Sequence, residues 1–326
     1  MKKLISLLLA LSLVLSLGLW AVAEGADLTD QLGRAVTLEQ TPQRIVSGYY
    51  ISSSALIALG LEDKLVGIEA KANKRPIYSL SAPALIDLPN VGTAKEFDLE
   101  GCIALNPDLV ILPAKLKNAA ETLEQLGIPV LLVNPESGEQ LEQMIALLGQ
   151  ATGTQERAEE LLDFIAGQRE NLETLLAEAE KPRVYLAGNS ALLSTAGANM
   201  YQSDMMVLAG GENVAAELSD TYWAEISYEQ LLAWNPEYIV LASDASYTVE
   251  EVLADPNLAD CTAVKNGNVL QLPGDAEAWD SPVPSGILGS VWLAARLHGD
   301  LLPEDRAEEI IASFYETFYG FSYGEG

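Results

Sequence analysis

The chain has 326 residues, with 18 Lys or Arg, 47 Asp or Glu and one His, giving a net charge of −29 at pH 7. A surface this acidic repels phosphate backbones, which argues against nucleic acid as a partner. The lone histidine excludes a His-rich zinc or manganese site, and it allows a His-based triad only if His298 is the base.

Lys2 and Lys3 precede an apolar run from Leu4 to Trp20 and then Ala21-Val22-Ala23, the small-x-small pattern of a signal peptidase site. Residues 1–23 are therefore expected to be a signal peptide, the alternative being a retained membrane-anchoring helix. No later apolar run is long enough to cross a bilayer. Residues 27–40 read as a hairpin turning at Leu32-Gly33-Arg34, followed by a strand over Gln43 to Ser47 and a helix over Ser52 to Leu59 ending at Gly60. Strands are expected at Lys64 to Ile68 and, briefly, at Pro89 to Gly92. A helix from Leu99, a strand at Asp108 to Leu112, a helix over Asn118 to Leu126 and a strand at Pro129 to Val133 complete the alternation. Such alternation predicts a parallel sheet covered on both faces.

Residues 154–180 carry apolar side chains at helical spacing without proline, which predicts one uninterrupted helix of about 40 Å. Pro182 to Leu186 then echoes Pro42 to Val46 and opens a second lobe, which closes with helices around Gly286 to Leu297 and Pro303 to Tyr319. LEGCIALNPDLVIL at Leu99 to Leu112 is repeated as YEQLLAWNPEYIVL at Tyr228 to Leu241. In each copy a helix ends at an Asn that tolerates the left-handed conformation, Pro forbids continuation, and a buried strand follows. The expected fold class is α/β, with two Rossmann-like lobes of parallel sheet joined by a single long rigid α-helix and a ligand cleft between them. The domains read as 24–150, the interlobe helix 151–181, and 182–326. Cys102 and Cys261 fall in different lobes and are expected to be free and buried.

In open α/β sheets ligands bind beyond the carboxyl ends of the strands. In the first lobe those loops carry Tyr49, Tyr50, Ser52, Ser53 and Ser54, then Lys71, Lys74 and Arg75, Lys95, Lys115 and Lys117. Six of the sixteen bases left after Lys2 and Lys3 thus fall at one end of one sheet. They form either a solvated face or the wall of an anion-binding cleft. In the second lobe the matching positions are Asn199, Tyr201, Tyr222, Trp223, Tyr247, and Trp279 with Asp280. Aromatic side chains there suit a large, partly apolar ligand, or else ordinary packing. His298, before Gly299 at a helix end, reads as a partner for backbone carbonyls. No nucleophile motif, P-loop or Gly-x-Gly-x-x-Gly is present, so no catalytic residue and no resident metal or cofactor is expected. Glu100 and Glu229 each follow an N-cap, Asp98 or Ser227, where a carboxylate complements the helix dipole.

The chain resembles solute-binding proteins of ABC importers, in the class whose two lobes are joined by one long helix. The resemblance rests on Gly33-Arg34-x-Val36, Pro42-x-Arg44-Ile45-Val46, Leu59-Gly60-Leu61, Leu65-Val66-Gly67 and Val91-Gly92. It continues in the two Asn-Pro repeats, Gly210-Gly211-Glu212-Asn213-Val214 and Ala263-Val264-Lys265-Asn266-Gly267. It implies a monomeric extracytoplasmic carrier whose Glu100 and Glu229 dock on a membrane permease driven by an ATPase. It also implies an anionic or metal-complex ligand, with a ferric siderophore first and haem, a corrinoid or a molybdate-type oxyanion as alternatives. No lipid-modified cysteine ends the leader, so a periplasmic or cell-surface form is open. An exported two-lobed enzyme and a non-transporting sensor are the readings from other classes.

Overall fold

A computed structural model describes residues 25–219 and 223–324; the expected signal peptide and Tyr222 lie outside these. An antiparallel hairpin, β1 (Ala26–Thr29) with β2 (Ala35–Leu38), precedes the first α/β unit. Gly33 supplies its turn at φ 76°, which a side chain would strain. Next come β3 (Ile45–Ser47), α1 (Tyr50–Ala58), β4 (Leu65–Ile68), α2 (Pro76–Ser81), α3 (Leu99–Ala104), β5 (Leu109–Pro113), α4 (Lys117–Gln125) and β6 (Val130–Val133). The four strands β4-β3-β5-β6 pair in parallel, so all their carboxyl ends lie on one edge. Residues 89–92 form no strand; a single bridge joins Ile68 to Asn90.

Two packed helices follow, α5 (Gly138–Thr152) and α6 (Gln155–Leu175), separated by Gly153 in the left-handed conformation. Helix α6 is 21 residues, about 32 Å at 1.5 Å per residue, and stops short of the expected 180. Its last buried residue is Leu172, with Leu176 as C-cap; the exposed Ala177, Glu178 and Glu180 have no core to join, and helix propensity alone does not hold them.

The second lobe holds β7 (Arg183–Ala187), β8 (Ser194–Ala196), α7 (Tyr201–Leu208), β9 (Glu212–Asn213), β10 (Trp223–Glu225), α8 (Tyr228–Trp234), β11 (Tyr238–Leu241), α9 (Val249–Leu253), α10 (Thr262–Asn266) and β12 (Val269–Gln271). Its sheet is mixed rather than wholly parallel. Strands β9, β7, β11 and β12 run parallel, while β8 and β10 add an antiparallel edge in the order β10-β8-β7-β11-β12. The chain ends in α11 (Ile287–Leu297) and α12 (Glu304–Tyr319).

The sequence reading gives α6 alone the task of joining the lobes. In the structure three helices span both cores. Ile165 of α6, Ile287 and Leu288 of α11 and Phe314 of α12 pack with the first lobe. Leu172, Val291 and Ala307 of the same helices pack with the second. Ala276, Trp279 and Val283 also join the first lobe's core, although they follow β12 of the second sheet.

Both Asn-Pro repeats fold alike. Asn106 and Asn235 take φ of 48° and 43°, which L side chains adopt at a cost that asparagine lessens. Their side chains differ in use. Asn235 Oδ1 accepts the Thr262 N–H at 2.9 Å, tying α8 to α10, whereas the Asn106 amide reaches only Ala104 O at 3.2 Å. N106G is expected to leave urea stability within about 0.5 kcal/mol of wild type, and N235G to lose about 1 kcal/mol. Equal midpoints for the two variants would refute the distinction.

Candidate functional site

The loop after β12 links the residues that follow the strands of the second sheet to helix α1 of the first lobe. Ser243, at the end of β11, donates to Pro273 O at 2.8 Å. Four residues further on, Glu277 enters the first lobe. Tyr50 Oη and Ser54 Oγ donate to its Oε1 at 2.9 and 2.6 Å, and Ser285 Oγ donates to Oε2 at 2.6 Å. Tyr319 Oη of α12 donates in turn to Ser54 Oγ at 2.8 Å. Glu277 is 2 % exposed, and burial raises its pKa although these hydroxyls pull it back. One carboxyl group therefore ties both lobes and the last helix.

A second buried carboxyl, Glu69, follows β4. It accepts from Ser53 Oγ and Tyr78 Oη, both at 2.6 Å, and burial raises its pKa too. These two groups decide what the serines of α1 do. Ser53 is committed to Glu69, Ser54 to Glu277, and Ser52 to Ser47 and the Tyr49 carbonyl. All three are buried. Sequence placed Ser52 and Ser53 at a helix start and read them as donors to a ligand; the structure leaves neither a hydroxyl proton to spare.

Arg75 is the cation the fold positions. Its guanidinium lies 3.4 Å from the Tyr50 ring centre, a stacked cation–π contact. Its Nε sits 3.8 Å from Glu69 Oε1, beyond hydrogen-bond reach, and has no hydrogen-bond partner. The side chain is 36 % exposed, so a fork of charged donors is held flat at the sheet edge. Lys71, at φ 73°, together with Lys74, Lys95 and Lys115, lies exposed along the same edge. Tyr49 is half-buried, and burial with the nearby Glu136 pushes its pKa up to about 12.

In the second lobe, Trp223 on β10 is 40 % exposed and covers Gly188, where an added Cβ would lie 2.9 Å from the indole. Tyr247 donates to the Gly188 carbonyl at 2.6 Å. Asn199 is exposed and bonds Ser219 O at 2.6 Å. Two expected wall residues are core instead. Trp279 is 1 % exposed and donates to Tyr315 Oη at 2.8 Å, and Tyr201 is buried between α7 and Gly286. A cavity of about 770 Å³ against α6 includes Tyr201 but none of the cations on the first sheet's edge, and its lining mixes Glu139, Glu142, Glu173 and Asp204 with Arg169 and Lys181. His298 caps α11, and its ring meets Gly210 O at 3.2 Å.

Glu69, Tyr78, Glu277, Ser285 and Tyr319 were not singled out by sequence. Among 47 acids nothing local marks two that become buried, and Glu277 meets Ser54 across 223 residues of chain.

Glu100 and Glu229 occupy equivalent first turns of α3 and α8. Asp98 Oδ1 accepts the Gly101 N–H at 2.9 Å and Ser227 Oγ the Gln230 N–H at 3.2 Å, so both expected caps form. Both glutamates are exposed, and hydrogen bonding to backbone and Ser227 lowers the Glu229 pKa.

Comparison with known proteins bears on this arrangement. The molybdate-binding protein MolA of Haemophilus influenzae is 28% identical over 351 aligned positions, covering 98% of each chain. Its molybdate-bound structure superposes with a TM-score of 0.81 at 26% identity, covering 91% of this chain and 99% of that one. A periplasmic solute-binding protein of Veillonella parvula also gives 0.81 at 26% identity, over 93% and 95%. The vitamin B12-binding protein of Yersinia pestis is 28% identical over 210 residues, 64% of this chain and 72% of its own. Relatives of this kind are binding proteins, not enzymes. The family model described as periplasmic binding protein matches residues 45–276, and the chain belongs to that family.

Proposed function

We propose that the protein is the extracytoplasmic binding component of an ABC importer and that it captures an oxyanion of the molybdate class between its lobes. The observation that carries this reading is Arg75, a guanidinium stacked on the Tyr50 ring with its side chain 36 % exposed. Such a fork meets two oxygens of a tetrahedral anion at once. The first amides of α1 have no acceptor within their own helix and add oriented donors beside it. Full-length similarity to a molybdate-binding protein supports the same class. The exposed lysines raise the local anion concentration, and Glu100 and Glu229 are the posts offered to the permease.

The first expectation, a ferric siderophore, loses one of its apolar walls with Trp279. A larger anionic chelate or corrinoid is the second reading, favoured by exposed Trp223 and by four lysines that form no ion pair among the described residues. The test is calorimetric titration of ligand-stripped protein with molybdate, tungstate, sulfate, a ferric siderophore and cobalamin. Submicromolar binding confined to molybdate and tungstate is expected. Binding of the siderophore or cobalamin alone would overturn the oxyanion reading.

A further inference from the structure

Two buried oxygens in the second lobe have no hydrogen-bond donor. Gln202 lies in the first turn of α7 and Asp280 in the loop after β12; they are 8 % and 3 % exposed. Gln202 Nε2 donates to the Asp280 carbonyl at 2.7 Å, which fixes the amide so that its Oε1 is the end left over. That Oε1 and Asp280 Oδ1 are both without a partner among the described residues. Reversing the amide would set Oε1 against a carbonyl, so the unpaired acceptor is not an artefact of orientation.

No base balances this carboxylate. Of the second lobe's bases, Lys265, Arg296 and Arg306 are paired with Asp260, Glu304 and Glu309, and Arg183 starts β7 at the opposite end of the sheet. Arg169, on α6, is held by Glu142 at 2.9 Å. The charge acting on Asp280 is that of another acid, Asp244, while Ser243 and the Asp280 backbone hydrogen-bond the carboxylate. Gln202 Oε1 and Asp280 Oδ1 nonetheless stay buried without a donor, with a second acid at hand, and a positive occupant would satisfy both.

We propose that Asp280 and Gln202 form a binding site for a hard, oxygen-seeking cation, calcium or sodium. The donor set decides the class. It offers one carboxylate and one amide carbonyl, oxygen donors only, which suit a hard cation rather than a soft or transition metal. Backbone carbonyls and water complete the shell. The oxyanion reading above does not depend on this site, whose two side chains are buried.

The experiment uses the full mature protein without any oxyanion, so its outcome is independent of that reading. After chelator treatment and exchange into choline chloride, calcium and sodium are added separately. Thermal midpoint and equilibrium dialysis against labelled calcium are read for wild type, D280N, Q202M and D300N, the last a remote surface control. One equivalent bound, or a midpoint rise specific to one of the two ions, is expected in wild type and D300N. D280N and Q202M should lose at least tenfold in affinity for that ion. If D280N fails to fold, Q202M carries the test. Wild type showing neither bound calcium nor a midpoint rise with either ion, or all four proteins responding alike, would overturn the site and leave the two oxygens to water or a carboxyl proton.

Discussion

Replacing Arg75 with glutamine is expected to weaken oxyanion binding by about ten- to hundredfold, the range set by losing one charge-assisted contact of about 1.5–3 kcal/mol. Stability should fall by no more than about 1 kcal/mol, or about 2–4 °C in midpoint, because Arg75 is a third exposed and its Glu69 contact is a loose 3.8 Å. R75K keeps the charge but loses the fork and the flat stack on Tyr50, so it should recover only part of the affinity. K95Q and K115Q remove exposed charges, and should slow association a few-fold at low salt with little change at high salt. Titration calorimetry and stopped-flow fluorescence separate these effects. Unaltered affinity in R75Q would remove Arg75 from the site.

Replacing Glu277 with alanine should cost about 3–5 kcal/mol, since three hydroxyl donors, from Tyr50, Ser54 and Ser285, lose their acceptor in a buried space. At about 2–4 °C per kcal/mol the thermal midpoint falls by about 6–20 °C. E277Q retains the shape and one acceptor, and should lie within about 1 kcal/mol of wild type near neutrality. The two proteins should diverge with pH. Burial raises the Glu277 pKa, so the folded protein keeps a proton that the unfolded chain has already released. Its contribution to stability is therefore full below the ordinary glutamate range and wanes as pH rises toward the folded value. E277Q should gain on wild type as pH rises through that window, read from urea midpoints. Burial raises Glu69, Asp204 and Asp280 in the same sense, so the wild-type slope is flattened in E277Q, not abolished. Parallel pH profiles would contradict the buried-acid account.

Much of the fold was legible because its signals are local. Asn followed by Pro sets a left-handed residue and stops a helix, and both copies do so. Gly60, Gly127 and Gly320 end helices at positive φ in the same way. What escaped reading depends on distant partners. Strands β8 and β10 are three residues each, too short for alternation to show, and their antiparallel pairing is decided by the sheet they join. The apolar stripe of α12 announces a helix but not that Phe314 and Phe318 belong to the first lobe. The same holds at the site. Position at the carboxyl edge brought the cationic loops into view but did not tell which aromatics, such as Trp279 and Tyr201, turn into the core. Whether a serine faces ligand or interior was fixed by Glu69 and Glu277, which arrive from elsewhere in the chain.

The two thiols give the molecule an internal pair of reporters. Cys102 and Cys261 are free and fully buried, one in the outer core of each lobe, behind the sheets and away from the helices that span both. Burial pushes the Cys102 thiol up to about 12, so neither oxidant nor alkylating reagent finds thiolate there until that lobe opens. Alkylation rates at the two sites under mild denaturant would then report each half's opening separately. Matching rates would mean that the bridging helices make the halves one cooperative body; a faster site would identify the half that yields first.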